Sequence, residues 1–188
     1  MKVNRVNAAK LFITVVALLA PLASSFAGDG LAPGSTGPDK ATANANYEQK
    51  LGDKVPLDLS FLDENSNPVT LGECINNKPT ILILAYYRCP MLCGEVLNGV
   101  LDSMRQMGGN FTCGKEFNVL AVSFDHKEQP ELARVKKMHY VTEYGRKEAD
   151  WGWKFLTGKR PNIEKLAEAV GFHYEYDRML KEYNHPSG

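Results

Sequence analysis

An uninterrupted apolar run, Ile81-Leu82-Ile83-Leu84-Ala85, leads into Tyr86-Tyr87-Arg88-Cys89-Pro90-Met91-Leu92-Cys93-Gly94, and a helical pattern from Val96 to Met107 follows at once. Few structures accommodate that order. A continuous apolar strand is covered on both faces, as strands of parallel sheets are. The order therefore predicts a central strand that delivers two of the chain's four cysteines to a helix N-terminus. A helix N-terminus favours nearby negative charge, and the thiolate is the reactive form of cysteine. The position alone predicts a lowered thiol pKa.

The rest of the folded region repeats the theme. Val55–Phe61 alternates apolar and polar residues, residues 63–68 form a turn cluster, and Val69-Thr70-Leu71 returns, which predicts an N-terminal hairpin. Thr80–Tyr87 and Phe117–Phe124 read as central strands, and Trp151–Leu156 as a further one. In the first helix Leu92, Val96, Val100 and Met104 make an inward stripe widened by Leu97 and Leu101, and Gly108-Gly109 ends it. Pro130 opens a second helix with Leu132, Val135, Met138 or His139, and Tyr144 at helical spacing. Asn162 is placed to cap a third, with Ile163, Leu166 and Val170 inward and Gly171 ending it. Strands alternating with helices imply an α/β fold with a parallel sheet and helical crossovers. Phe172–Tyr176 suits a short strand, and Asn184–Gly188 is turn chemistry.

Residues 1–27 carry Lys2, Arg5 and Lys10, then the apolar run Leu11–Ala20, then Ser25-Phe26-Ala27, the order of a cleavable secretory signal. The run is about half of the ~20 residues a membrane-spanning helix needs, and Pro21 interrupts it. An uncleaved membrane anchor is the alternative. Cleavage would remove three of the 22 basic residues and none of the 22 acidic ones, leaving a mildly acidic exported chain. In a bacterium that places it in the periplasm, where disulfides form. Residues 28–50 are expected to be a flexible tether, which leaves residues 51–188 as the folded domain. The balance of 22 basic and 22 acidic residues, and the lack of a glycine-rich loop after any strand, argue against nucleic-acid and nucleotide binding.

Cys89 and Cys93 have three residues between them, whereas a thioredoxin-type redox pair has two. Residues four apart share a helix face, so the two sulfurs can approach as a disulfide, as a redox pair, or as ligands of one soft metal ion. Two thiolates and an imidazole suit copper. His126, after the second central strand, and His185, near the end, are equal candidates for the imidazole. His139 lies among lysines and reads as solvated; His173 reads as packing.

Tyr87-Arg88-Cys89-Pro90-Met91-Leu92-Cys93 resembles the Cys-Pro-x-x-Cys signature of the Sco/SenC family. Val122-Ser123-Phe124-Asp125, Pro130-Glu131-Leu132, Gly152-Trp153-Lys154-Phe155-Leu156-Thr157-Gly158 and Tyr183-Asn184-His185 follow in the family's order, and the resemblance spans residues 51–188. It implies a thioredoxin-like fold and copper held by Cys89, Cys93 and His185. Asp125 would orient groups around the site without binding the metal. The implied role is delivery of copper to the CuA-bearing subunit of cytochrome c oxidase, in contact with other periplasmic copper or thiol-redox proteins. Reduction of a target's cysteines by Cys89 and Cys93 is the alternative role. Family chains are usually held by an N-terminal membrane helix, and they continue past the histidine with a strand and a final helix. This sequence stops three residues after His185 and is expected to lack both. Cys74 and Cys113 match no family ligand and are read either as free thiols or as a second disulfide.

Overall fold

The structure is a computed structural model, and it describes residues 45–90 and 92–186. The expected signal, residues 28–44 of the expected tether, Met91, Ser187 and Gly188 lie outside the described residues.

The chain opens with a hairpin of β1 (Ser60–Leu62) and β2 (Pro68–Thr70), paired antiparallel with Phe61 opposite Val69. It is shorter than the alternation predicts. Leu57 and Asp58 form a turn, and the carbonyls of Leu57 and Leu59 accept hydrogen bonds from Gly72 and Leu71 of the next element, not from a strand. That element is a helix the periodicity did not signal, α1 (Leu71–Ile75). Its start is a local device: the Thr70 side chain accepts from the Glu73 N–H, and the Glu73 carboxylate accepts from the Thr70 N–H. Leu71, expected to extend the returning strand, begins this helix instead.

Next come β3 (Thr80–Ala85), α2 (Leu92–Gln106), β4 (Asn118–Ser123), α3 (Pro130–Tyr144), α4 (Ala149–Gly152), β5 (Trp153–Leu156) and α5 (Arg160–Val170). Strands β3, β4 and β5 form a parallel sheet in that order, Ile81 opposite Val119 and Ala121 opposite Phe155. Every residue of β4 is buried, as befits the central strand. The N-terminal hairpin joins this assembly at Leu62, which exchanges two backbone hydrogen bonds with Thr157 just past β5. Residues 46–50 are bound to the end of α5: Glu48 donates to the Gly171 carbonyl at 2.7 Å, and the Lys50 ammonium meets Glu168.

Two helices keep part of the expected inward face, Leu97, Leu101 and Met104 in α2 and Tyr144 in α3, and shift the rest. In α2 the buried side is Cys93, Leu97, Leu101 and Met104, and Leu92 is exposed. The cysteine, not the leucine before it, opens the inward stripe. In α3 the buried side is Ala133, Lys137, Tyr140 and Tyr144, whereas Val135 and Met138 are exposed. The shifted face has a physical cause: the inward Lys137 has a buried carboxylate partner, Glu64, brought by the distant β1–β2 turn. Helix α5 starts three residues earlier than expected, with Lys159 at the N-cap position and Pro161 in its first turn. Asn162 therefore lies inside the helix, and its side-chain amide donates to the Ser60 carbonyl at 2.7 Å instead of capping. Finally β6 (Glu175–Asp177) and β7 (Glu182–Asn184) form an antiparallel hairpin. Among the described residues no helix is long and apolar enough to cross a membrane.

Candidate metal centre

Strand β3 ends at Ala85 and the chain turns at once, with the Cys89 N–H donating to the Tyr86 carbonyl at 3.1 Å. The turn sets Cys89 in the loop and Cys93 in the first turn of α2. The Cys93 N–H points at the Cys89 sulfur from 3.5 Å, and the Tyr86 N–H points at the Cys93 sulfur from 3.4 Å. No disulfide is formed among the described residues, which include all four cysteines.

His185 reaches the pair from the far end of the chain. Its Nε2 lies 4.0 Å from the Cys89 sulfur and 3.7 Å from that of Cys93. All three donor atoms lie within 4.8 Å of one another, close enough to hold one metal ion. His185 Nδ1 is 2.9 Å from the Pro186 carbonyl. A carbonyl only accepts, so Nδ1 carries the proton and the Nε2 lone pair faces the sulfurs. Aromatic rings fix the imidazole: Tyr86 edge-on at 5.7 Å, Phe124 at 5.3 Å and Phe172 at 6.4 Å. The β6–β7 hairpin that carries His185 docks through the same cluster, Tyr174 and Tyr183 packing on Phe124 at 4.8 and 5.4 Å. His126 is not part of the group. It is exposed and lines an open cavity of about 730 Å³ with His173, Arg160 and Tyr176.

The expected lowering of the thiol pKa fails for Cys93. Burial pushes its thiol up to about 12 against the help of the Tyr86 N–H, and Cys89 adds to the rise. Desolvation of the thiolate outweighs the helix N-terminus. Cys74 and Cys113 are buried and not linked to each other, and burial pushes their thiols up as well, to about 11 and about 12.

Asp125, just past β4, is buried beside the hairpin and accepts the Tyr183 hydroxyl at 3.0 Å and the Lys127 N–H at 3.0 Å. The sequence reading passed over Glu128. This carboxylate is 2% exposed and accepts the Tyr87 N–H at 2.7 Å and the Arg88 N–H at 2.8 Å. Burial raises its pKa, while bonds from Ser123, Tyr87 and Arg88 pull it down. The only trace in the sequence is an acid placed just before the helix-opening Pro130, a common arrangement that does not reveal a partner 41 residues away.

The chemistry of the group is that of two soft sulfur donors and one imidazole nitrogen, partly buried, with Cys89 and His185 reachable from outside. Such a set binds a soft or borderline metal ion, and its sulfurs also suit dithiol–disulfide chemistry.

No protein-family model matches the chain, and no curated protein sequence does. Solved structures do. The chain is similar to a candidate electron transfer protein from Aquifex aeolicus VF5, with 27% identity and a TM-score of 0.61, covering 73% of this chain and 75% of that one. It is similar to apo Sco1 from Thermus thermophilus, with 20% identity and a TM-score of 0.51, covering 70% and 69%. Bradyrhizobium japonicum ScoI, solved with copper bound, matches with 23% identity and a TM-score of 0.47, covering 62% and 67%. The fold is thus the thioredoxin-like fold of Sco proteins, as the sequence motifs imply.

Proposed function

We propose that this chain belongs to the Sco/SenC family and is an exported copper-binding protein that delivers copper to the CuA-bearing subunit of cytochrome c oxidase. The observation that carries the reading is the convergence of Cys89, Cys93 and His185 within 4.8 Å. Three donors gather there from a loop, a helix start and a hairpin end. The fold shared with Sco1 of Thermus thermophilus and the family motifs support it.

Copper is cargo in this reading. Two sulfurs favour Cu(I), and the added nitrogen makes Cu(II) tolerable. Nδ1 of His185 donates to the Pro186 carbonyl, which leaves Nε2 as the ring nitrogen directed at the sulfurs. Both thiols must lose theirs. Cys89 and His185 are partly exposed, which lets an acceptor's ligands displace them one at a time.

The second reading is a thiol–disulfide oxidoreductase. The contact between the Cys93 N–H and the Cys89 sulfur favours it, because it keeps the two cysteines adjacent. There the more exposed Cys89 attacks a target disulfide and Cys93 resolves the mixed disulfide, leaving the target reduced and this pair oxidised.

His185→Ala separates the two. Anaerobic titration of the reduced protein with Cu(I) against a competing chelator, with ligand number read by X-ray absorption, is expected to give two sulfurs and one nitrogen in the parent. The variant should bind at least about tenfold more weakly and keep its rate of exchange with a model disulfide. Unchanged copper affinity in the variant would sink the three-ligand reading.

A further inference from the structure

Two backbone N–H groups just before Cys89, those of Tyr87 and Arg88, end on a single buried carboxylate, Glu128. The carboxylate's third bond comes from the Ser123 hydroxyl at 2.6 Å. The Ser123 oxygen in turn accepts the Asp125 N–H at 3.2 Å. Asp125 then takes the Tyr183 hydroxyl at 3.0 Å, and Tyr183 stands two residues before His185 on β7. The cysteine loop and the histidine hairpin are thus joined by one path, from the Tyr87 and Arg88 amides through Glu128, Ser123 and Asp125 to Tyr183.

We propose that Glu128, Ser123 and Asp125 act as one two-armed clamp, Glu128 setting the cysteine loop and Asp125, through Tyr183, setting the histidine hairpin, so that displacing either arm disturbs the other. The proposal rests on the reading of Cys89, Cys93 and His185 as a metal site. Glu128 and Tyr183 are positioning residues; neither is among the three donors. A site of three donors from separate segments has the geometry of whatever holds those segments in register. Partners behind metal ligands are typically worth about 10–100-fold in affinity. Ser123 is the joint. One hydroxyl both donates to the Glu128 arm and accepts from the Asp125 backbone, and bonds in such a chain support one another.

Three substitutions test this. Tyr183→Phe removes one hydroxyl. Glu128→Gln keeps an acceptor for one N–H and turns an NH2 toward the other. Ser123→Ala cuts the joint. In the metal-free reduced protein, amide hydrogen exchange at Tyr87 and Arg88 is expected to speed up in Tyr183→Phe as well as in Glu128→Gln. A local packing role for Tyr183 would leave those amides unchanged and would overturn the clamp. With Cu(I), each of Tyr183→Phe and Glu128→Gln should weaken binding about 10–100-fold. The double variant should lose less than the product of the two, and in the Ser123→Ala background the two losses should multiply. Independent losses with Ser123 intact would also overturn the proposal. A parent chain that takes up no Cu(I) would refute the copper reading, and the amide exchange would still decide the clamp. If Glu128→Gln does not fold, exchange at Tyr87 and Arg88 in Tyr183→Phe and Ser123→Ala carries the same decision.

Discussion

Cys93 is pulled two ways. Its place in the first turn of α2 favours a thiolate, and its burial favours a thiol; burial wins, pushing it to about 12. The thiol is therefore protonated throughout the neutral range, and an ion that binds it must expel the proton. Copper affinity should rise with pH, at least about tenfold per unit, and a titration series from pH 6 to 8 checks this. The metal-free fold responds with the opposite sign. An unfolded thiol ionises near ~8.5, whereas the folded one holds its proton to about 12. The unfolded state then binds fewer protons, so stability falls as pH rises through that window. At this scale the sequence pointed to Cys89, Cys93 and, through the family motif, His185, and the structure brings the three together. It did not reveal Glu128. A carboxylate whose partners are backbone N–H groups 40 and 41 residues away leaves no pattern of side chains to read.

Periodicity found the elements whose burial follows apolarity and missed those set by single polar contacts. The parallel strands were legible because their runs are apolar: every residue of β4 is buried, whereas β3, expected to be central, is an outer strand of the three and is buried only over Ile83–Ala85, with Ile81 exposed. Helix α1 depends on the Thr70–Glu73 capping box, and the inward face of α3 depends on Lys137 finding Glu64. Strand β7 was hidden because its partner β6 and the aromatic cluster, more than its own composition, hold it in place. The end of α5 was legible and is structurally strict. Gly171 has φ +69°, and its N–H closes on the Ala167 and Glu168 carbonyls. A Cβ there would meet the Glu48 carbonyl oxygen at 1.9 Å. Gly171→Ala should cost about 1–2 kcal/mol for the left-handed backbone alone, and more for displacing residues 46–50. Because Phe172 follows and touches the imidazole ring, thermal melting and copper affinity should both drop.

Across the molecule, a buried charge pair ties the N-terminal hairpin to α3 and β5. Glu64, from the β1–β2 turn, meets Lys137 of α3, lies 3.9 Å from Lys154 of β5, and accepts the Phe155 N–H at 3.4 Å. The Lys137 and Glu64 side chains are 11% and 2% exposed, so solvent screens the pair little. Lys137→Met should destabilise the fold by about 3–5 kcal/mol in urea unfolding, because it leaves Glu64 charged and short of a partner. Adding Glu64→Leu should recover much of that loss. The Cys89–Cys93–His185 group spans the molecule in a different sense. His185 is 96 residues from Cys89 and 92 from Cys93, so its three donors form one site only when the intervening sheet and helices are in place. On the proposed reading, an ion held there is a cross-link that the unfolded chain cannot make. At a hundred times its dissociation constant, such an ion adds about 2.7 kcal/mol to stability. Release would subtract the same amount from the stability of the fold, so on that reading a chain that has given up its ion is the less stable of the two forms an acceptor or a protease meets.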